Sequence, residues 1–318
     1  MKCRICLCGS EPKTFVAREM MFGIGDEFIY FACSHCGCLQ INEYPDNIDK
    51  YYPKDYYSYR EVSWKKDGLL KRYLRKARFQ SVMTGKGLLG RALEYYFKTP
   101  LMLECLKICG AKLNWEILDV GCGSGRFLLE LYRLGFGNLT GVDPHIERNV
   151  DPADGIVLFK KHLADLEGKY DLIFLRDTLE HMQQQSEVFK DIRAHLKTNG
   201  FVVISIPVLG YCWGRYGVNW VGLDAPRHFY LHTKSSIDIL CQEAGFRMIH
   251  MRFDSQADQI IGSEQYLRGI PLFDEKSYFA NPKASIFSRQ EINAFKRLAM
   301  TVNQQDNGDR IVVCLATE

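Results

Sequence analysis

Six of the chain's twelve cysteines fall within its first 38 residues: Cys3, Cys6, Cys8, Cys33, Cys36 and Cys38. Cys3-x-x-Cys6 and Cys33-x-x-Cys36 have the spacing that lets two knuckle turns close on one ion. Four such thiolates make a tetrahedral structural zinc site with no open coordination position. Cys3, Cys6, Cys33 and Cys36 are therefore the expected ligands of one Zn2+, with an iron–sulfur cluster as the alternative for the same sulfurs. Cys8 and Cys38 repeat one offset, two residues after each pair, and either replace a ligand, stand behind one, or allow a larger metal load. No apolar stretch follows Met1-Lys2-Cys3-Arg4, so no export signal is expected, and clustered pairs without export favour metal over disulfides. A module of about 40 residues has too small a core to fold alone, so the ion is expected to supply its stability.

A second constellation is Asp119-Val120-Gly121-Cys122-Gly123-Ser124-Gly125, where an apolar run meets three alternating glycines and then a helical pattern. Glycine permits positive φ and close backbone approach, so a ligand can lie against the main chain where the helix begins. A nicotinamide fingerprint puts its third glycine five positions after the first. Here the interval is four, with Asp119 two residues before the first glycine. Twenty-two residues beyond Gly121, an apolar run ends in Asp143-Pro144. A carboxylate there can accept from both hydroxyls of a ribose; the alternative is a helix cap.

Positioning these groups requires a particular scaffold. Buried strands are expected over 115–120, 139–142, 155–159, 170–175, 201–206 and 247–253, with helices over 127–134, 187–196 and 234–244. That alternation means an α/β fold built on a parallel sheet. Composition divides the chain into a cysteine module (1–45), a tyrosine-rich and then basic connecting segment (46–91), and an α/β domain (92–318). The domain's polar, helical tail ends in a strand over 310–316, expected to insert antiparallel beside 247–253. Hydrophobic residues at 47% and charged residues at 25% are ordinary for a globular chain. The longest apolar runs fall far short of the ~20 residues of a bilayer span, and the expected location is the cytoplasm.

The glycine interval and Asp119 resemble motif I of the class I S-adenosylmethionine-dependent methyltransferases. So do Asp143, Ala164-Asp165-Leu166, Leu179-Glu180-His181 after the fourth strand, Pro226-Arg227-His228-Phe229 and Glu243-Ala244-Gly245-Phe246, in that order. The resemblance implies a Rossmann-like, seven-stranded sheet. It implies a S-adenosylmethionine site at Asp119, Gly121, Cys122, Gly123, Gly125, Asp143, Pro144, Asp165 and Arg176. It also implies methyl displacement from the sulfonium, with a hydroxyl acceptor wanting a general base such as histidine. His181 and His228 are the candidates; the alternative for His181 is a turn histidine bonded to backbone. Arg227 is a candidate for a substrate phosphate or carboxylate.

Tyr51-Tyr52-Pro53-Lys54-Asp55-Tyr56-Tyr57-Ser58-Tyr59 packs five tyrosines into nine residues. Cysteine knuckles followed by this stretch resemble a bacterial methyltransferase subfamily associated with polysaccharide and deoxysugar-nucleotide pathways. The tyrosines either stack on a sugar or base or pack the cysteine module on the core. Residues 60–91 hold ten basic and two acidic residues, with Leu69, Leu70, Tyr73, Leu74 and Ala77 on one helical face. That helix is either simply solvated or rests on anionic lipid or phosphate. The expected acceptor is a sugar hydroxyl, or a carbon, of a nucleotide-sugar or lipid-linked saccharide, with peripheral membrane contact as a further option. The rival readings are an RNA methyltransferase gripping phosphates through the knuckle and basic helix, and a non-catalytic cofactor-binding protein.

Overall fold

A computed structural model describes residues 1–9, 11–53, 56–60, 62–64, 68–96, 101–283 and 285–318. Lys54 and Asp55 of the tyrosine stretch, and Glu61, Lys65, Lys66 and Asp67 of the basic stretch, lie outside the described residues. The N-terminal part forms strands β1 (Lys13–Arg18), β2 (Glu27–Ala32) and β3 (Leu39–Ile41), followed by helices α1 (Leu69–Thr84), α2 (Leu88–Tyr96) and α3 (Leu101–Ile108). The α/β part then runs β4 (Glu116–Val120), α4 (Arg126–Leu134), β5 (Asn138–Val142), β6 (Val150–Ala153), β7 (Ile156–Phe159), β8 (Tyr170–Arg176), α5 (Gln185–His195), β9 (Leu196–Pro207), α6 (Tyr211–Tyr216), β10 (Tyr230–Leu231), α7 (Lys234–Glu243) and β11 (Phe246–Phe253). The tail adds α8 (Ala257–Tyr266), α9 (Arg289–Gln304) and β12 (Arg310–Thr317).

The large sheet has the order β11-β12-β9-β8-β4-β5-β7-β6. Strands β9, β8, β4, β5 and β7 are parallel, and β12 inserts antiparallel between β9 and β11, as expected. The sheet therefore has eight strands where seven were expected. The additional one, β6, folds back antiparallel on β7 through Asp154-Gly155, a two-residue loop of the kind that closes tight hairpins. Gly155 takes φ +78° there.

Alternation along the strands covers both faces of the sheet. Leu118, Val120, Ile173, Leu175, Val202 and Ile204 point to one core, while Ile117, Leu172, Phe174 and Val203 point to a second. Buried on both faces, the parallel strands present their C-terminal ends as the open edge where side chains can converge.

A second, four-stranded sheet has the order β1-β2-β3-β10. Its last strand belongs to the α/β part: Tyr230 pairs with Gln40 and Leu231 with Leu39. Cysteine-module residues such as Cys36, Cys38 and Leu39 share one hydrophobic core with Leu231, Ile237 and Leu240. Among the described residues, no helix is long and apolar enough to cross a membrane.

Candidate functional site

Strand β4 ends at Val120 and the chain turns sharply, with the Gly121 N–H donating to Val142 O at 2.8 Å. Gly121 (φ +73°) and Gly123 (φ +49°) occupy the left-handed region. A side chain at 121 would collide with Thr178, and one at 123 would sit 2.6 Å from Ser58 O. Only glycine meets both constraints at these positions. Asp143, at the end of β5, accepts from the Gly123 N–H at 3.0 Å and from the His145 N–H at 2.8 Å. Its carboxylate thus ties the glycine turn to the next strand end, and Pro144 beside it is half-buried.

Asp119 lies beneath this turn, only 3% exposed. Burial raises its carboxyl to about 7; Arg176 opposes the shift and Asp143 adds to it. Arg176 stacks its guanidinium 4.3 Å from the centre of the Phe127 ring. The Cys122 thiol is buried under the turn, 3.6 Å from Gly123 O, where a Cβ on Gly141 would come within 2.6 Å of its sulfur. Asp165 is exposed on the turn Leu163–Asp165. Because the folded protein binds the Asp119 proton more tightly than the unfolded chain does, its contribution favours folding at low pH. That contribution is lost as pH rises through about 7. Urea titrations of ligand-free protein on either side of that pH should show lower stability on the alkaline side. Asp119→Asn should remove the difference, and an unchanged slope in the variant would assign it to another group.

The two histidines meet at the same edge of the sheet. His181 ends the turn Leu179–His181 after β8, and His228 lies on the loop before β10; their ring centres are 4.7 Å apart. His181 Nδ1 lies 2.8 Å from Arg227 O, and His228 Nδ1 lies 2.8 Å from Gly222 O. A carbonyl only accepts, so both Nδ1 atoms carry the proton and both Nε2 atoms keep a lone pair. Burial, and then the neighbouring His228, lowers His181 to about 4. Burial also lowers His228, against the opposing pull of Asp224. Both rings are therefore neutral near pH 7. Glu180 completes the cluster. It is 1% exposed, neither carboxylate oxygen has a hydrogen-bond partner among the described residues, and Oε1 lies 3.9 Å from His228 Nε2.

Arg227 is not available to a substrate. It is fully buried, donating to both Asp224 oxygens, to Glu19 Oε1 at 3.0 Å and to Tyr51 O at 3.1 Å. The sequence offered its charge for recognition, but the structure spends that charge on two carboxylates. No local pattern in the sequence marks Glu19 or Asp224, because Arg227 lies 208 positions from the one and on an irregular loop with the other. Glu180 was visible only as the middle of its triplet.

The tyrosine stretch divides between its two readings. Tyr51 and Tyr56 are buried, and Tyr51 donates to Asp26 at 2.6 Å, so these residues join the cysteine module to the core. Tyr52 instead places its hydroxyl 3.2 Å from His181 Nδ1. The main chain then runs onto the glycine turn, where Ser58 O accepts from the Ser124 N–H at 3.1 Å.

The sulfurs of Cys3, Cys6, Cys33 and Cys36 lie within 4.8 Å of one another. The Ile5 N–H points at Cys3 Sγ, the His35 N–H points at Cys33 Sγ, each at 3.4 Å, and Gln40 Nε2 donates to Cys3 Sγ at 2.9 Å. Four sulfurs with N–H groups aimed at them form a donor set suited to a thiophilic cation. Cys38 is not in this group; its thiol lies under β10, 4.0 Å from His232 Nδ1.

A family model described as a methyltransferase domain matches residues 63–251. The ubiquinone biosynthesis O-methyltransferase of Rickettsia conorii is 28% identical over 141 residues, covering 39% of this chain and 48% of that protein. The protein of the same name from Bradyrhizobium diazoefficiens is 30% identical over 120 residues, covering 34% and 46%. The chain spans about half the length of these curated relatives. A crystal structure of a S-adenosylmethionine-dependent methyltransferase from Mesorhizobium loti is similar over 68% of this chain and 98% of its own, at 15% identity and a TM-score of 0.44.

Proposed function

Since the chain belongs to the methyltransferase-domain family, we propose that it moves a methyl group from S-adenosylmethionine to a hydroxyl of a sugar, carried as a nucleotide-sugar or a glycan precursor. The observation that carries the reading is the convergence at one sheet edge of the tight glycine turn, Asp143 and two neutral imidazoles. S-adenosylmethionine supplies the reactive methyl on its sulfonium. The residues assigned to hold it are Asp119, Gly121, Cys122, Gly123, Gly125, Asp143, Pro144, Asp165 and Arg176, with Asp143 on the ribose. His228 Nε2 takes the acceptor's proton as the carbon–oxygen bond forms, and His181 lines the same space. The name O-methyltransferase on the curated relatives supports oxygen over carbon. The polar-tipped tyrosine beside His181 supports a hydroxyl-rich acceptor.

Cys3, Cys6, Cys33 and Cys36 are assigned one zinc ion. Its role is to hold the knuckles, and with them β1 to β3, against the α/β part. Its sulfur cluster is separate from the histidine cluster, so it is given no catalytic step.

Calorimetric titration with S-adenosylmethionine and S-adenosylhomocysteine tests the reading. Asp143→Ala is expected to weaken binding by ~1–3 kcal/mol, the cost of losing a buried hydrogen-bond partner. Release of S-adenosylhomocysteine over a panel of nucleotide-sugars then identifies the acceptor. If zinc-loaded, folded protein binds neither ligand, the proposal fails.

A further inference from the structure

Positive charge is strongly segregated in this chain. Residues 60–91 carry a net +8 while the whole chain carries +3, leaving −5 for everything else. Helix α1 holds Lys71, Arg72, Arg75, Lys76 and Arg78 and no acidic residue. The helix buries only its second half, through Phe79, Ser81 and Val82, with Phe79 packed edge-on to Phe136 at 5.6 Å. Leu69, at 84%, and Leu70 and Tyr73 in its first half stay exposed.

Helix α2 extends the same surface. It is fixed to α1 where Gly90 lies so close to Ala77 and Ser81 that a Cβ could not be accommodated. It nevertheless leaves Leu88 at 87%, Tyr95 at 86%, and Leu89 and Tyr96 exposed. Between α1 and the end of α4 runs a groove of about 570 Å³, lined by Leu69, Tyr73, Leu113 and Phe136, with Arg72 and Lys76 on its α1 wall. Seven large apolar or aromatic side chains thus stand in water beside a basic stripe.

We propose that the α1–α2 surface docks on an anionic phospholipid bilayer. The charge selects the partner. Two copies of this chain would bring like-charged faces together, whereas acidic headgroups complement the stripe. The leucines distinguish a bilayer from a polynucleotide, because they gain nothing from a phosphate backbone but bury their surface at the headgroup–acyl boundary. Tyrosine, with an apolar ring and polar tip, is the residue suited to that depth. This surface is built from α1, α2 and the end of α4, apart from the histidine cluster, so the inference does not rest on the acceptor proposed above.

Flotation of the full, zinc-loaded chain with vesicles decides it. Recovery with equimolar phosphatidylcholine and phosphatidylglycerol is expected, little with phosphatidylcholine alone, and less as salt increases. Arg72→Gln with Lys76→Gln should weaken binding about thirtyfold. Leu69→Ser with Leu88→Ser should weaken it about tenfold or more. Both variants should keep the wild-type circular dichroism spectrum and affinity for S-adenosylmethionine. Equal recovery on both vesicles, or none, would overturn the proposal. So would retention by polyuridylate in place of vesicles, or a dimer in light scattering that the leucine variant dissociates without any vesicle binding.

Discussion

Glu19→Ala is expected to lower folding stability by ~3–5 kcal/mol, the usual result of removing one partner from a buried ion pair. Glu19 and Arg227 are both fully buried. The carboxylate accepts from Arg227 Nη2 at 3.0 Å and from the N–H groups of Phe22 and Ile24 at 3.0 and 2.9 Å. Alanine would orphan both amide donors and leave Arg227, whose Nη2 still donates to Asp224 at 2.7 Å, with Asp224 as its remaining carboxylate partner among the described residues. Glu19→Gln keeps an acceptor for the amides and should fall between wild type and alanine. Denaturant titration of zinc-loaded protein gives the numbers. A loss under about 0.5 kcal/mol, ordinary for a surface substitution, would show that the Arg227–Asp224 pair stands without Glu19. The effect should reach the histidines, because the Arg227 carbonyl accepts from His181 Nδ1. A glutamate in the cysteine module thus helps to hold the side chain that lines the proposed acceptor site.

His228→Gln should lower kcat by about 10²–10⁴, the usual weight of a general base, while affinity for S-adenosylmethionine stays within about twofold. The argument is the tautomer. With Nδ1–H committed to Gly222 O, the only lone pair on the ring is at Nε2, facing the Glu180 and Asp224 carboxylates at 3.9 and 3.8 Å. Protonation would occupy that lone pair, so activity should fall as pH drops. Because burial lowers the His228 pKa, the acid limb should lie below the ordinary histidine value of about 6.5. His181→Gln should cost less, since a group held down to about 4 is a weak base. If the two variants lose activity in the reverse order, the roles are exchanged.

Local chemistry was legible in the chain; its distant consequences were not. The glycine interval and the strand–helix alternation gave the turn, its carboxylates and the parallel sheet, because each is set by residues within about twenty positions. The knuckle cysteines were legible as a cluster for the same reason, each pair being local. The insertion of β12 was also visible, as a strong apolar run following Gly308-Asp309. By contrast, β10 is two residues long and exists only because β3 offers it an edge. The burial of Arg227 depends on a glutamate 208 positions away, and nothing in Arg18-Glu19-Met20 hints at it. The β6–β7 hairpin is a different case: the strand expected over 155–159 is β7, whereas Val150-Asp151-Pro152-Ala153 lacks the apolar alternation of a strand, so β6 is marked only by the Asp154-Gly155 turn.

The pairing of β3 with β10 also sets an order of events on the ribosome. Leu39 and Ile41 are buried, yet the strand that closes their sheet is Tyr230–Leu231, some 190 residues later. At about 5–20 residues per second, the first three strands wait roughly ten to forty seconds for their fourth. Over that interval β3 is an open edge of the kind that recruits wrong partners. A metal-clamped pair of knuckles would keep the early strands in register until the late one arrives. Nascent chains stalled before Tyr230 should accordingly aggregate, and should do so faster when a chelator is present.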